Sequence, residues 1–235
     1  LANYPKLEVA GAFDTDSAGL KTFGAHYGYT ANPDLDWALA DATVDIVVNL
    51  TPPDHHYAIN RSALDAGKHV YCEKPLAMEP GQAAALAELA ASKGLRISGA
   101  PANALSDAQA LAAKLIANGR IGTPRLVYAE MEDGAVFRDN WRDWRSVSGA
   151  RWPGLHEFEI GCTLEHAGYA LGWLIALFGR AKVVETFSAL TFPDKGPGTE
   201  GLKLAPDFSV GCIEFASGPV ARLTCGLAAP RDRSL

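Results

Sequence analysis

Val44–Leu50 reads VDIVVNL, and Thr51-Pro52-Pro53 follows at once. A run this rich in β-branched residues is the kind of strand that parallel sheets bury on both faces. The two prolines cannot donate to a ladder, so the strand ends there and a loop begins. Working outward, Asp54–Ala66 carries a helical pattern closed by Gly67, the residue type preferred just past a helix end. His69–Cys72 is a second strand, ending in Glu73-Lys74-Pro75. Gly81–Lys93, rich in Ala, Leu and Glu, is a helix closed by Gly94, and Leu95–Ser98 is another strand. Upstream, Leu7–Phe13 is a strand ending at Asp14, Ser17–Tyr27 a helix and Pro33–Ala40 a short helix. Strand and helix alternating in this way spell βαβ units. The expected fold is therefore α/β with a doubly wound parallel sheet and right-handed crossovers.

The second half changes character near Pro101. Ser106–Asn118 is a helix with a capping box, Ser106 at the cap and Gln109 three residues on. Arg125–Glu132 is strand-like, Phe137–Trp152 an aromatic, arginine-rich loop, and Thr163–Phe178 a helix closed by Gly179. Ala181–Phe192, Phe208–Phe215 and Val220–Leu227 read as strands, the last two joined by the turn Ala216-Ser217-Gly218-Pro219. Hairpin-joined strands predict an α+β unit with an open antiparallel sheet. The organisation expected is two units, residues 1–101 and 102–235.

Composition narrows the function classes. Of 235 residues, 21 are Lys or Arg and 27 Asp or Glu, a net charge of −6. No basic stripe is present to neutralise phosphates, so nucleic acid is not the expected partner. VDIVVNL and GWLIALF fall well short of the ~20 apolar residues that span a bilayer. Cys72, Cys162, Cys212 and Cys225 are far apart, without zinc spacing, as expected of reduced thiols in a cytoplasmic protein.

Ligands of doubly wound sheets bind at the carboxyl ends of the strands. Three such ends are polar here. Asp14 reads either as a ribose-binding acid or as a solvated loop or capping aspartate. Thr51-Pro52-Pro53 with His55-His56 reads as a ligand loop or as a turn with a helix cap. Glu73-Lys74-Pro75 reads as a positioned cation or as a surface ion pair.

Together the three ends are not independent. Ala66–Ala77, AGKHVYCEKPLA, resembles the Gfo/Idh/MocA family of NAD(P)-dependent oxidoreductases, whose hallmark is Glu-Lys-Pro at this strand end. Thr51-Pro52-Pro53…His56 matches the cofactor loop of that family, and the match covers most of residues 7–125. The resemblance implies a Rossmann domain followed by a domain whose open sheet forms a homodimer or homotetramer interface. It implies hydride exchange between NAD, less so NADP, and a hydroxyl or carbonyl of a sugar, inositol or related polyol. Carried over, Lys74 would lie by the nicotinamide and the reacting oxygen, stabilising negative charge. Asp14 would hold the adenosine ribose. Thr51, Pro52, His56, Glu73 and Pro75 would line the cofactor, and Lys74–Pro75 is a candidate cis bond.

The second motif of the family, Asp-x-Gly-x-His on a helix, departs here. The matching stretch is Glu165-His166-Ala167-Gly168-Tyr169, with glutamate for aspartate and tyrosine for histidine. Glu165 and Tyr169, four apart, share a helix face. Glucose–fructose oxidoreductase-like members also carry tyrosine at this place. The expected catalytic set is Lys74 as electrostatic stabiliser, Tyr169 as acid–base with its pKa lowered by Lys74, and Glu165 orienting sugar hydroxyls or tuning Tyr169. His166 competes for the acid–base role. Residues 152–157 are expected to line the substrate. The His and Glu residues of 156–166 match no tight ligand pattern, so no metal is expected. Arg138, Trp141, Arg142, Trp144 and Arg145 read either as a sugar- or anion-contacting wall or as a cation–π-laced hinge. An NAD-dependent glycosidase and a non-catalytic dinucleotide-binding regulator remain alternatives. Finally, the resemblance makes Leu7–Phe13 the second strand of a Rossmann sheet. The first strand and its Gly-rich turn are missing from these 235 residues, which are expected to be a partial view of a longer chain.

Overall fold

The computed structural model describes residues 4–32 and 34–230. Of the strand expected at Leu7–Phe13 only β1 (Ala12–Phe13) forms; it leads through helix α1 (Ser17–Tyr27) to β2 (Ala31–Asn32), a parallel partner too short to show in the sequence pattern. Asp16 caps α1, its carboxylate accepting from the Ala18 N–H, and Gly28 ends it in the left-handed region at φ +72°. Helix α2 (Leu35–Ala40) is capped by Asp34; the proline expected to open it, Pro33, lies outside the described residues. Strands β3 (Ile46–Asn49), β4 (His69–Cys72) and β5 (Ile97–Gly99) form a second parallel sheet in the order β3-β4-β5. Helices α3 (His56–Asp65) and α4 (Pro80–Ser92) connect them. Among the described residues the parallel strands of this half thus fall in two sheets, β1-β2 and β3-β4-β5.

Leu64, Val70, Cys72 and Leu86 form the core between sheet and helices. The expectation that β3 is covered on both faces is corrected. Val47 and Asn49 are buried under α3, but Ile46 and Val48 are 45% and 41% exposed because the opposite face stays half open.

Helix α5 (Asp107–Ala117), capped by Ser106 through Gln109 N–H at 3.2 Å, follows β5. Then come β6 (Leu126–Glu132), helices α6 (Gly154–Ile160) and α7 (Cys162–Phe178), and strands β7 (Ala181–Ala189), β8 (Phe208–Phe215) and β9 (Val220–Gly226). The four strands make one sheet in the order β6-β9-β8-β7. The β7–β8 and β8–β9 pairs are antiparallel as expected, but β6 joins β9 in parallel, so the sheet is mixed. The long crossover from β6 through α6 and α7 is what permits the parallel pairing.

Helix α7 buries Ala167, Ala170, Leu174 and Phe178, spaced at three and four, on the inner face of that sheet against Ala129, Ile213, Phe215 and Leu223. Its N-terminus carries Glu165 and His166 into the same buried stripe. α6 was not foreseen. It is separated from α7 only by Gly161, at φ +81° and ψ 163°. A Cβ there would lie 2.6 Å from the Ala205 Cβ and 2.8 Å from the Pro206 carbonyl, so the corner admits glycine alone.

Candidate active site

The polar strand ends are built on a buried network. Asn49, at the end of β3, donates to the Asn60 side chain at 2.8 Å and accepts from the Thr51 hydroxyl at 2.7 Å. Asn60 donates in turn to the Leu76 carbonyl at 3.2 Å. His56 sits between the loops. One ring nitrogen lies 2.7 Å from the Thr51 carbonyl and the other 2.6 Å from the Pro75 carbonyl. Its side chain is wholly buried. The expected cofactor-lining role of His56 is therefore corrected: its ring is used up stapling the two loops together and offers no surface to a ligand.

Thr51, Glu73, Lys74 and Pro75 stay partly exposed on those stapled loops, and Pro52 is exposed. The Lys74–Pro75 bond is cis, as is Ala100–Pro101. Glu73 turns its carboxylate back onto the Lys74 N–H at 3.0 Å. Asp14 is exposed just past β1 and takes one hydrogen bond, from the Asp16 N–H at 2.8 Å. Asp16, not Asp14, is the helix cap, which leaves acceptor capacity on Asp14 for a ribose hydroxyl. A carboxylate at one strand end and a partly exposed Thr-Pro loop at another suit a dinucleotide, whose hydroxyls need acceptors and whose ring needs a flat rest.

Lys74 points across to the other half of the chain, where its ammonium pairs with the Glu165 carboxylate. The two side chains are 18% and 4% exposed. Burial alone would favour a neutral amine, yet the hydrogen bond and charge of Glu165 outweigh it and push Lys74 above its usual value. Next to this pair opens a cavity of about 400 Å³, walled by Lys74, Asp133, Glu157, His166, Tyr169 and Trp152 among others. The Lys74 nitrogen is 6.0 Å from the centre of the Tyr169 ring. The structure thus brings Lys74, Glu165 and Tyr169 together, with two corrections. Glu165 is buried behind Lys74 and is not on the wall, so it faces the cavity only through the lysine. The Tyr169 phenol is pushed up, not down, because burial outweighs the Lys74 charge.

His166 lies on the same wall, 92% buried at the side chain, with Nε2 3.2 Å from an Asp133 carboxylate oxygen. Burial is the main influence and lowers its pKa despite Asp133. Glu157 rises to about 7, driven by burial and by the like charge of Glu165. Trp152 and Glu157 are on the wall, and the loop expected at 152–157 is corrected: most of that segment is helix α6. Asp133 went unforeseen; the available signal was an acidic residue just past a strand, the pattern already noted at Asp14 and Glu73. The arginine group does not line the cavity. Arg142 stacks 4.1 Å from the centre of the Trp141 ring and donates to the Pro197 carbonyl, and Arg138 lies 5.1 Å from the Phe192 ring centre. Among the described residues no three His, Cys, Asp or Glu side chains form a metal-ligand set. His156 instead reaches Asp54 at 3.1 Å, a second tie between the halves.

Parallel strands with polar carboxyl ends, followed by a mixed sheet whose helix completes the site, define a two-part α/β protein of the Rossmann class. Residues 1–100 match the model of the GFO_IDH_MocA oxidoreductase family, NAD-binding Rossmann fold. An uncharacterized oxidoreductase of Schizosaccharomyces pombe is 40% identical over 111 residues, 46% of this chain and 30% of that one. The D-xylose 1-dehydrogenase (NADP(+)) of Hypocrea jecorina is 35% identical over 127 residues, 54% of this chain and 29% of that one. Among solved structures, an inositol dehydrogenase homolog from Azotobacter vinelandii superposes with a TM-score of 0.79 at 20% identity, covering 97% of this chain and 58% of that one. The first 100 residues are thus similar to the NAD-binding Rossmann domain of that oxidoreductase family. The stretches matched span about a third or less of these two curated relatives.

Proposed function

We propose that this chain carries the nicotinamide-side and substrate-side residues of an NAD-dependent dehydrogenase acting on a secondary alcohol of a sugar or cyclitol. The observation that carries the reading is Lys74: a strand-end ammonium, fixed by Glu165, on the wall of a 400 Å³ cavity beside Tyr169. The inositol dehydrogenase homolog was crystallised with NADH and myo-inositol, and the xylose enzyme is named for a sugar, which supports the substrate class. Asp14 would accept from the ribose hydroxyls, and Thr51, Pro52, Glu73 and Pro75 would border the cofactor. NAD, when bound, supplies the hydride acceptor.

Lys74 holds the reacting oxygen and stabilises the charge that grows on it as the O–H bond weakens. Tyr169, a neutral phenol at neutral pH, donates a hydrogen bond to that oxygen and its proton in the reverse reduction. Glu165 fixes the Lys74 amine in line. Four cysteines without a disulfide support a reducing, cytoplasmic setting. No helix among the described residues is long and apolar enough to cross a membrane. The outer face of the mixed sheet, with Leu126, Tyr128 and Val220 exposed, is the surface on which a second copy would pack.

The test is direct. Mixed with NAD and a panel including myo-inositol and D-xylose, the intact protein should generate reduced-nicotinamide absorbance. Lys74→Ala should lower turnover about 100- to 1,000-fold, the usual worth of one preorganised electrostatic group. Activity nearly intact in Lys74→Ala would refute the assignment.

A further inference from the structure

The strap from Trp141 to Trp152 is built around its tryptophans. The Trp152 N–H donates to the Trp144 carbonyl at 3.1 Å, and Arg145 and Arg151 bridge just inside that bond. The chain therefore doubles back and delivers Trp152 to the foot of α6. There its indole packs edge-on against Trp141, with centroids 5.9 Å apart at 72°, and tilts on Trp144 at 5.0 Å. Trp141 is buried and is backed in turn by buried Phe158 at 5.5 Å. Gly154 makes this closeness possible: a Cβ there would lie 2.4 Å from the Trp141 ring and 2.5 Å from the Trp152 ring. Trp152 is thus held from behind, yet it stays only half-buried and lines the cavity that Lys74 and Tyr169 also line.

The lining of that cavity is mixed in chemistry. Lys74 and Tyr169 present polar ends, whereas Trp152, Met131, Val136 and Leu227 present mainly carbon. A pyranose or cyclitol with equatorial hydroxyls matches both, with hydroxyls around its rim and bare C–H bonds on each face. The negative face of an indole attracts such C–H bonds, and flat contact removes apolar area from water. An open-chain polyol has no such face, and ordering its free torsions costs entropy that a ring has already given up. The volume, about 400 Å³, is near the small end of ligand clefts, about 300–1,000 Å³, and suits a single ring.

We infer that Trp152 is the platform on which the C–H face of the substrate ring lies, so that the site selects cyclic polyols over open-chain ones. This rests on the dehydrogenase reading above and narrows the substrate class of the same site. Trp152 sets binding and the presentation of the reacting hydroxyl; the chemical step remains with Lys74, Tyr169 and the nicotinamide.

The experiment compares the intact native protein with Trp152→Leu and Trp152→Phe, each checked for native circular dichroism. Calorimetry in the presence of NADH gives affinities for two rings, myo-inositol and D-xylose, and for open-chain xylitol. Initial rates with NAD give KM and kcat. Native protein should bind the better ring at least about 10-fold more tightly than xylitol. That comparison needs no variant, and a native protein that binds xylitol as tightly as the rings, or binds neither ring, overturns the inference. Trp152→Leu should weaken ring binding and raise its KM about 10- to 30-fold, while kcat and xylitol affinity stay within about 3-fold. Trp152→Phe keeps a flat face and should stay within about 5-fold of native. Unchanged ring affinity in Trp152→Leu, equal weakening of ring and open chain, or a Phe variant no better than the Leu variant also overturns the platform. Ring affinity that falls in Trp152→Leu and returns in Trp152→Phe, with no NAD reduced by native protein, removes the dehydrogenase reading and leaves the platform standing.

Discussion

Replacing Lys74 by methionine should destabilise the protein well beyond the loss of a surface ion pair. The lysine and its partner Glu165 are 18% and 4% exposed, so little water can compensate the carboxylate left behind. Glu157 stands beside it and adds like charge. Removing one member of a buried pair typically costs about 3–5 kcal/mol, whereas exposed pairs are worth about 1 kcal/mol or less. The partial exposure of Lys74 puts the expectation near the lower end, about 3 kcal/mol. Most of that is the stranded carboxylate and not the lost attraction. Lys74→Met combined with Glu165→Leu should therefore recover much of the loss, because the apolar pair carries no charge to solvate. The penalty should also shrink below pH 7, where the carboxyl pair binds a further proton. Urea unfolding of the native, two single and double variants at pH 8 and pH 5.5 gives the coupling directly. A single-variant loss under 1 kcal/mol at pH 8, or a double variant as unstable as the sum of the singles, would show that the two side chains do not form a buried pair.

Other expectations follow from neighbouring features. Glu157 is raised from 4.5 to about 7, so the folded state holds its proton longer than the unfolded chain. The stability this confers is full below about pH 4.5 and is lost as pH rises through about 7. At about 1.4 kcal/mol per unit the loss is at most about 3.5 kcal/mol, and solvent at the cavity mouth reduces it. Glu157→Gln should flatten that slope in pH-dependent thermal unfolding; an unchanged slope assigns it to another group. Gly161→Ala should cost about 3 kcal/mol or more, from a backbone conformation nearly reserved to glycine plus contacts at 2.6 and 2.8 Å. His56→Leu leaves the Thr51 and Pro75 carbonyls without their ring partner, about 2–4 kcal/mol, and should weaken NAD binding in calorimetry. Lower stability with unchanged NAD affinity would show that the staple does not position the loops.

The sequence made the strand-end loops legible because their signals are local: proline after a β-branched run, glycine after a helix, a lysine beside a proline at a strand end. The Lys74–Glu165 contact, 91 residues apart, was not read from the sequence, which placed both residues at one site only through the family resemblance. Where local chemistry was ambiguous the sequence could not decide. His55 and His56 are adjacent and alike, yet the first side chain is 64% exposed and the second wholly buried, a difference set by which one the first turn of α3 aims at the loops. The parallel pairing of β6 with β9 is invisible locally, since strand direction depends on the whole crossover between them. Asp133 reaches the cavity only because of that pairing, which carries the end of β6 beside Gly226. The direction of the Tyr169 shift was misjudged for a related reason. The attraction of Lys74 could be read from a motif, but the burial that outweighs it comes from the cavity walls, assembled from β6, α6 and α7. Sequence thus names the groups that carry chemistry, and the packing of distant elements decides which of them hold protons. The clearest case is Glu157, which the turn at Gly161 sets on the cavity wall, where burial and the charge of Glu165 raise it to about 7.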